Sequence, residues 1–289
     1  MVTACTPAVP CMNDLQKLIV WTGRLVPISV RERIIGDGYR PSWISTAIHS
    51  VLNRASGDRY PTLECGGLLT GYRMKLEWAR FRCFAYGSWE PELVALVAKK
   101  VQPGFRVVDI GAHIGYYTLL LSRLVGANGR VYSFEPVPTN FEFLSENVRL
   151  NNCTNVEPVN RAVVDAHQQI HFDIRDGDPL PIDVCFADPN SRGNLVVEGV
   201  SLDEYFLARP EKIDFVKVDA ESAEDKVLDG ARGLIARDHP SILMEVHHFD
   251  GNLESRVTPV KLRELGYHVE QLDRGPLTSH FWAEWPEPN

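Results

Sequence analysis

Positive charge is in short supply: 30 Lys and Arg stand against 38 Asp and Glu, for a formal net charge of -8. Duplex binders draw most of their non-specific affinity from phosphate neutralisation by a surplus of Lys and Arg. The balance therefore points to a small-molecule or uncharged substrate, with no nucleic acid as partner. Long apolar runs are missing too. The stretch Leu18-Ile-Val-Trp21 gives way at Thr22-Gly23-Arg24, far short of the roughly 20 residues a bilayer span needs. The opening Met1-Val-Thr-Ala-Cys-Thr-Pro-Ala-Val-Pro10 has neither the basic segment nor the apolar core of a signal peptide. Six cysteines, at 5, 11, 65, 83, 153 and 185, form no C-x-x-C pair and no zinc spacing with histidine, which suits reduced thiols in a reducing compartment. No internal repeat or low-complexity tract appears. The expectation is a cytoplasmic protein without a membrane span; its 44% hydrophobic content over 289 residues allows one large domain with an appendage.

Two regions differ in character. Residues 1–85 hold short apolar clusters (Leu15 to Trp21, Trp43 to Leu52) that read as amphipathic helices, punctuated by Pro27, Gly36, Gly38 and Pro41. Alternating runs follow between Thr62 and Phe84, such as Tyr72-Arg-Met-Lys-Leu-Glu-Trp78, and read as half-buried strands. This part is expected to be a lid or assembly region. Residues 86–289 alternate strand with helix. A helix opens at Pro91, then come strand Arg106–Ile110, helix Gly115–Val125, strand Arg130–Phe134, helix Pro138–Leu150 and strand Val156–Val164. The 176–200 stretch, with Asp176-Gly-Asp-Pro179 and Asp188-Pro-Asn-Ser-Arg-Gly193, interrupts the rhythm and reads as a loop beside the site. It resumes with strand Ile213–Val218, helix Ala223–Ala236, strand Ser241–Val246, helix Val257–Leu265 and edge strands near Tyr267–Leu272 and His280–Trp285. Such alternation predicts an α/β fold: a Rossmann-like, mostly parallel central sheet flanked by helices, with an N-terminal helical and β extension.

Open sheets of this kind bind ligands beyond the carboxyl ends of their strands, where strand order reverses. The first strand-to-helix turn is Asp109-Ile-Gly111-Ala112-His113-Ile-Gly115. Its D-x-G-x-x-x-G spacing is not the G-x-G-x-x-G clamp for a pyrophosphate, which argues against a nicotinamide-dependent dehydrogenase. It suits a smaller, diphosphate-free ligand such as S-adenosylmethionine. Twenty-four residues after Gly111, the second strand ends in Phe134-Glu135-Pro136. A carboxylate there can accept two hydrogen bonds from a ribose diol.

The run from Tyr86-Gly-Ser-Trp-Glu90 through Val107-Val-Asp-Ile-Gly-Ala-His-Ile-Gly-Tyr-Tyr-Thr118 resembles the FkbM family of methyltransferases, as do Val131-Tyr-Ser-Phe-Glu-Pro136, Ser201-Leu-Asp203 and Ile213-Asp-Phe-Val-Lys-Val-Asp219 with Glu221. The resemblance covers roughly residues 65 to 250. It implies a class I methyltransferase fold, S-adenosylmethionine as donor (S-adenosylhomocysteine as product) and a hydroxyl acceptor on a sugar or decorated natural product. Two positions depart from the family pattern. Ser222 stands for a glycine after the fourth strand, and His113 stands for the usual asparagine of the glycine turn.

Methyl transfer needs collinear acceptor, carbon and sulfur, and alignment supplies roughly 7–11 kcal/mol. A hydroxyl acceptor also needs a proton sink, worth about 10²–10⁴ in rate. The polar groups placed for this are Asp219 and Glu221 after the fourth strand, and Glu245, His247 and His248 on the fifth. His247 is the preferred general base, since an imidazole of pKa about 6.5 suits proton removal near neutrality; it could equally satisfy backbone groups at a strand end. Asp219 could hold the donor's ammonium or cap the following helix. Asp219, Glu221 and Glu245 are compatible with a divalent cation, but no metal ligands are assigned. The cofactor residues expected are Glu90, Asp109, Gly111, Ala112, His113, Gly115, Glu135, Pro136, Asn160, Arg161, Ala162 and Asp219. For Glu90 a helix-terminal charge, and for Ala162 strand packing, are the competing readings. A silent cofactor-binding protein, or one methylating nitrogen or carboxylate, is the functional alternative, and a homo-oligomer is compatible with the chain.

Overall fold

The computed structural model describes residues 60–174, 184–186, 193–248 and 257–286. The two helices expected before residue 60, and most of the loop expected from 176, lie outside the described residues. Contacts divide the chain into two compact units, 1–99 with 149–152 and 100–148 with 153–289.

In the first unit, β1 (Thr62–Glu64) and β2 (Arg73–Lys75) pair antiparallel, Leu63 opposite Met74. The alternating pattern does not continue as strand, however. Residues Trp78–Tyr86 form helix α1, closed by Gly87 in the left-handed conformation (φ 67°). A Cβ on Gly87 would sit 2.2 Å from the Gly67 nitrogen, so only glycine lets the chain turn there. Helix α2 (Pro91–Lys100) opens as expected on its proline.

The second unit is built on a seven-stranded sheet. Its strands are β3 (Arg106–Ile110), β4 (Arg130–Phe134), β5 (Val156–Val159), β10 (Phe215–Val218), β11 (Ser241–His247), β12 (His268–Gln271) and β13 (Thr278–Glu284), in spatial order β12-β13-β11-β10-β3-β4-β5. The five strands from β11 to β5 run parallel, and β13 alone runs antiparallel to both neighbours. The Thr278–Glu284 strand is therefore interior; of the two expected edge strands, β12 alone lies at an edge, and β5 forms the opposite one. Both faces of β3 and β10 are buried, which explains their continuous apolar sequence. One face packs Val108, Ile110, Val216, Val218, Ile242 and Met244 against Leu202, Phe206, Val227, Leu228, Leu234 and Ile235 of helices α5 (Leu202–Phe206), α6 (Glu224–Asp229) and α7 (Arg232–Asp238). Helix α3 (Tyr116–Val125) follows β3, α4 (Pro138–Leu150) follows β4, and α8 (Thr258–Glu264) follows β11.

Two expected elements are divided. The strand read over Val156–Val164 breaks at Asn160-Arg161, where Asn160 Nδ2 donates to the Glu135 and Pro136 carbonyls. Its remainder, β6 (Ala162–Val163), joins a separate four-stranded sheet in the order β6-β9-β7-β8, with β7 (Gln168–Ile174), β8 (Val184–Phe186) and β9 (Leu195–Val200). The helix read over Ala223–Ala236 breaks at Gly230, whose Cβ position would lie 2.1 Å from the Val164 carbonyl oxygen. Asp203 then caps the second piece, accepting from Gly233 N–H (2.8 Å) and Leu234 N–H (2.7 Å). Among the described residues, no helix is long and apolar enough to cross a membrane.

Candidate active site

Strand order reverses between β3 and β10: from β3 the chain builds outward through β4 and β5, then returns to add β10 and β11 on the other side. The crevice at the carboxyl ends of β3 and β10 is thus the expected ligand position; the glycine turn, Glu135, Asp219, Glu221, Glu245 and His247 sit at the ends of β3, β4, β10 and β11.

The glycine turn is shaped by close approach. Gly111 (φ 71°) passes the start of the β10 loop so tightly that a Cβ would fall 1.8 Å from the Asp219 carbonyl oxygen. Gly111 and Ala112 N–H both donate to the Phe134 carbonyl, at 3.0 Å. Gly115 (φ 97°) starts α3, where a Cβ would meet Leu144 Cδ1 at 2.9 Å. His113, also left-handed (φ 49°), turns its N–H onto Glu135 Oε2 at 2.8 Å. Glu135 accepts further from Val137 N–H on Oε1 (2.9 Å) and from Asn140. Burial raises the Glu135 pKa from 4.5 to about 7, against the pull of those donors. Each carboxylate oxygen can accept two hydrogen bonds, so Oε2 keeps capacity for a diol hydroxyl. Pro136 follows, half-buried.

Two expected cofactor residues, Asp109 and Ala162, take other places. Asp109 has no exposed surface; its Oδ2 accepts from Thr118 Oγ1 at 2.7 Å and its Oδ1 lies 4.0 Å from Lys217 Nζ. It supports the turn from beneath and does not face the crevice. Ala162 packs in the small sheet's core with Val164, Ile170 and Phe172, the packing alternative. Glu90 belongs to the first unit, where its carbonyl accepts from Val94 N–H to open α2. Asn160 ties β5 to the β4 end by its amide, and Arg161 beside it is half-buried.

The β10 and β11 ends form one charged cluster. His247 Nδ1 bonds Glu224 Oε1 at 2.9 Å, and its Nε2 faces Glu221 (3.3 Å), Glu245 (3.8 Å) and Asp219 (3.9 Å). The buried imidazole resists charging, but the Glu224 hydrogen bond and the Glu221, Asp219 and Glu245 carboxylates outweigh that and push it up to about 10. These carboxylates favour the protonated imidazole, a form that donates a proton, and so argue against the expected role of His247 as general base. Burial, partly offset by His247 and reinforced by the other carboxylates, raises Glu221 well above the usual carboxylate range. For Glu245, the His280 and His247 partners and Lys217 overcome burial and hold it at about 2. The β10 strand ends at Val218 rather than extending onward; Glu221 (φ 48°) and Ser222 (φ 77°) bend left-handed to bring Glu221 round to His247. Asp219 does not cap α6, whose N-cap is Ala223 without a side-chain bond; it pairs with Lys217 at 3.3 Å instead. His248 turns away to Ser279 Oγ (3.2 Å).

Asp219, Glu245 and His247 each bring one ligand atom within 4.8 Å of the others, close enough to share a cation. Lys217, Glu224 and His280 carried no role in the sequence reading. Lys217 and Glu224 each had a visible signal: a lysine inside an apolar strand two residues before Asp219, and a glutamate three residues after Glu221. His280 needed the β11–β13 register, which sets it opposite Glu245.

The family model described as the Methyltransferase FkbM domain matches residues 109–269, more than half of the chain. Over 58 residues the chain is 47% identical to a protein-L-isoaspartate O-methyltransferase of Aeropyrum pernix, covering 20% of this chain and 22% of that protein. A protein of the same name from Methanothrix thermoacetophila is 30% identical over 71 residues, 24% of this chain and 34% of its own length. The chain thus matches only about a fifth to a third of these curated relatives. Among solved structures, the FkbM methyltransferase of Methylobacillus flagellatus KT is 16% identical with a TM-score of 0.43, covering 83% of this chain and 58% of that one.

Proposed function

Because the chain belongs to the FkbM methyltransferase family, we propose that it methylates a hydroxyl oxygen of a small acceptor, a sugar or a hydroxylated natural product. S-adenosylmethionine is the donor, supplying when bound a sulfonium-activated methyl whose carbon–sulfur bond breaks as the acceptor oxygen takes the carbon. The residues fit it: a buried carboxylate with acceptor capacity at Glu135, and a half-buried carboxylate at Asp219 for an ammonium.

The observation that carries the hydroxyl reading is Glu221. Its side chain is 26% exposed, burial and the neighbouring carboxylates raise its proton affinity against the pull of His247, and His247 Nε2 lies 3.3 Å from one of its oxygens. A carboxylate tuned upward is suited to take a proton near neutral pH. In this reading Glu221 accepts the hydroxyl proton, His247 positions Glu221, and Glu224 fixes the ring of His247. A carboxylate acceptor has no proton to lose, and Asp219, Glu221 and Glu245 together would repel it. The isoaspartate O-methyltransferases named above therefore do not guide the choice of acceptor.

Labelled donor offered with a panel of hydroxylated acceptors tests this reading. Turnover should appear in the native protein and fall about 10²–10⁴-fold in Glu221→Gln, with S-adenosylhomocysteine affinity nearly unchanged. Native turnover in the variant would remove Glu221 from the proton step. Tight binding without transfer to any acceptor would favour a silent binding protein.

A further inference from the structure

An ammonium in the middle of a fully buried parallel strand needs a reason, because its desolvation is costly unless opposite charges surround it. All four residues of β10 are buried, and Lys217 is the charged one. Alternation places Val216 and Val218 in the apolar core and Lys217 on the opposite face. The register sets Lys217 beside Asp109 of β3. Its Nζ lies 4.0 Å from Asp109 Oδ1, 3.3 Å from Asp219 Oδ2 and 5.2 Å from the centre of the Tyr117 ring. Lys217 thus joins the floor of the glycine turn, the first turn of α3 and the end of β10.

The Asp219 backbone is already fixed, since its N–H donates to the Ile110 carbonyl (3.1 Å) and its own carbonyl abuts Gly111. What remains free is side-chain rotation. Lys217 holds Oδ2 on one side and His247 Nε2 faces Oδ1 at 3.9 Å on the other. We propose that Lys217 is a positioning residue that locks the Asp219 carboxylate in the orientation that receives the ammonium of the donor's amino-acid end. This rests on the cofactor assignment given to Asp219 above. Lys217 never touches the ligand in this scheme; it acts through Asp219.

Deleting Lys217 alone is ambiguous. It strands buried Asp109, and it also removes a positive charge whose loss would by itself favour an ammonium. The paired change Lys217→Met with Asp109→Asn keeps that pair neutral and isolates the geometry of Asp219. Binding of S-adenosylhomocysteine and of 5′-methylthioadenosine, which has the nucleoside but not the amino-acid end, is measured by calorimetry on native and paired variant, with a thermal melt to verify folding. The expected result is about a tenfold or greater loss for S-adenosylhomocysteine and near-native binding of 5′-methylthioadenosine. Equal or tighter S-adenosylhomocysteine binding in the folded variant overturns the proposal. If the variant does not fold, Lys217→Gln with Asp109→Asn is read in the same way: the shorter neutral amide can satisfy the changed partner on β3 but gives Asp219 no ammonium, so selective loss for S-adenosylhomocysteine supports the proposal and an unchanged ratio overturns it. Native protein binding neither ligand would instead refute the cofactor reading itself.

Discussion

Replacing Glu135 with Gln separates two effects that usually move together. Burial lifts this carboxyl from 4.5 to about 7, so at about 1.4 kcal/mol per pH unit the ionised form costs the folded chain about 3 kcal/mol. The sign follows: the unfolded chain ionises first, so this group erodes stability as pH rises from 4.5 to about 7 and the loss is complete above that. Gln removes the charge. Its amide nitrogen must then face either His113 N–H, now 2.8 Å from Oε2, or Val137 N–H, 2.9 Å from Oε1. One buried donor goes unpaired, at about 1–3 kcal/mol. The two effects oppose, so at pH 8 the variant should melt close to the native protein or slightly above it. Ligand binding has no such offset. Losing a charged acceptor for the ribose diol should weaken S-adenosylhomocysteine by about 1.5–3 kcal/mol, roughly 10- to 150-fold. Calorimetric titration and thermal melting at pH 8 read both. A variant that melts much lower yet binds the ligand normally would show that Glu135 serves the fold and not the cofactor.

Other perturbations probe the turns and the charged cluster. Ser222 sits at φ 77° with its hydroxyl oxygen buried and unbonded, so Ser222→Gly should raise stability by about 1 kcal/mol in denaturant titration; a loss would mean the hydroxyl has a role. Gly111→Ala combines a positive φ with a 1.8 Å clash and should abolish S-adenosylhomocysteine binding and destabilise by about 3 kcal/mol or more. His247, raised to about 10, contributes stability that is complete below pH 6.5 and lost as pH rises toward 10. Stability curves over that range should slope downward for the native protein and flatten in His247→Gln; equal slopes would place the charge elsewhere.

The sheet was legible because buried parallel strands leave continuous apolar runs between capped helices, and β3, β4, α3 and α4 fall close to where that pattern sets them. Breaks that depend on tertiary packing were not. Gly230 ends a helix with the Val164 carbonyl against it; the glycine is a local breaker signal, but the packing that makes it the break rather than a tolerated helical glycine is not local. The close approach of the glycine turn to the β4 end, where Glu135 accepts from His113 N–H, was likewise readable from spacing. The role of His247 was not, since its proton affinity depends on four carboxylates from two strand ends meeting in space. Asp109 looked like a ligand residue by motif but is a buried support, a distinction set by α3 lying over it.

Transfer to a hydroxyl is tested most directly by the chemistry of the methylated product. Label carried from S-adenosylmethionine to an accepted substrate should survive mild alkali, because a methyl ether does not hydrolyse there. Release of the label as methanol would reveal a methyl ester, and with it a carboxylate acceptor that contradicts the proton-accepting role of Glu221.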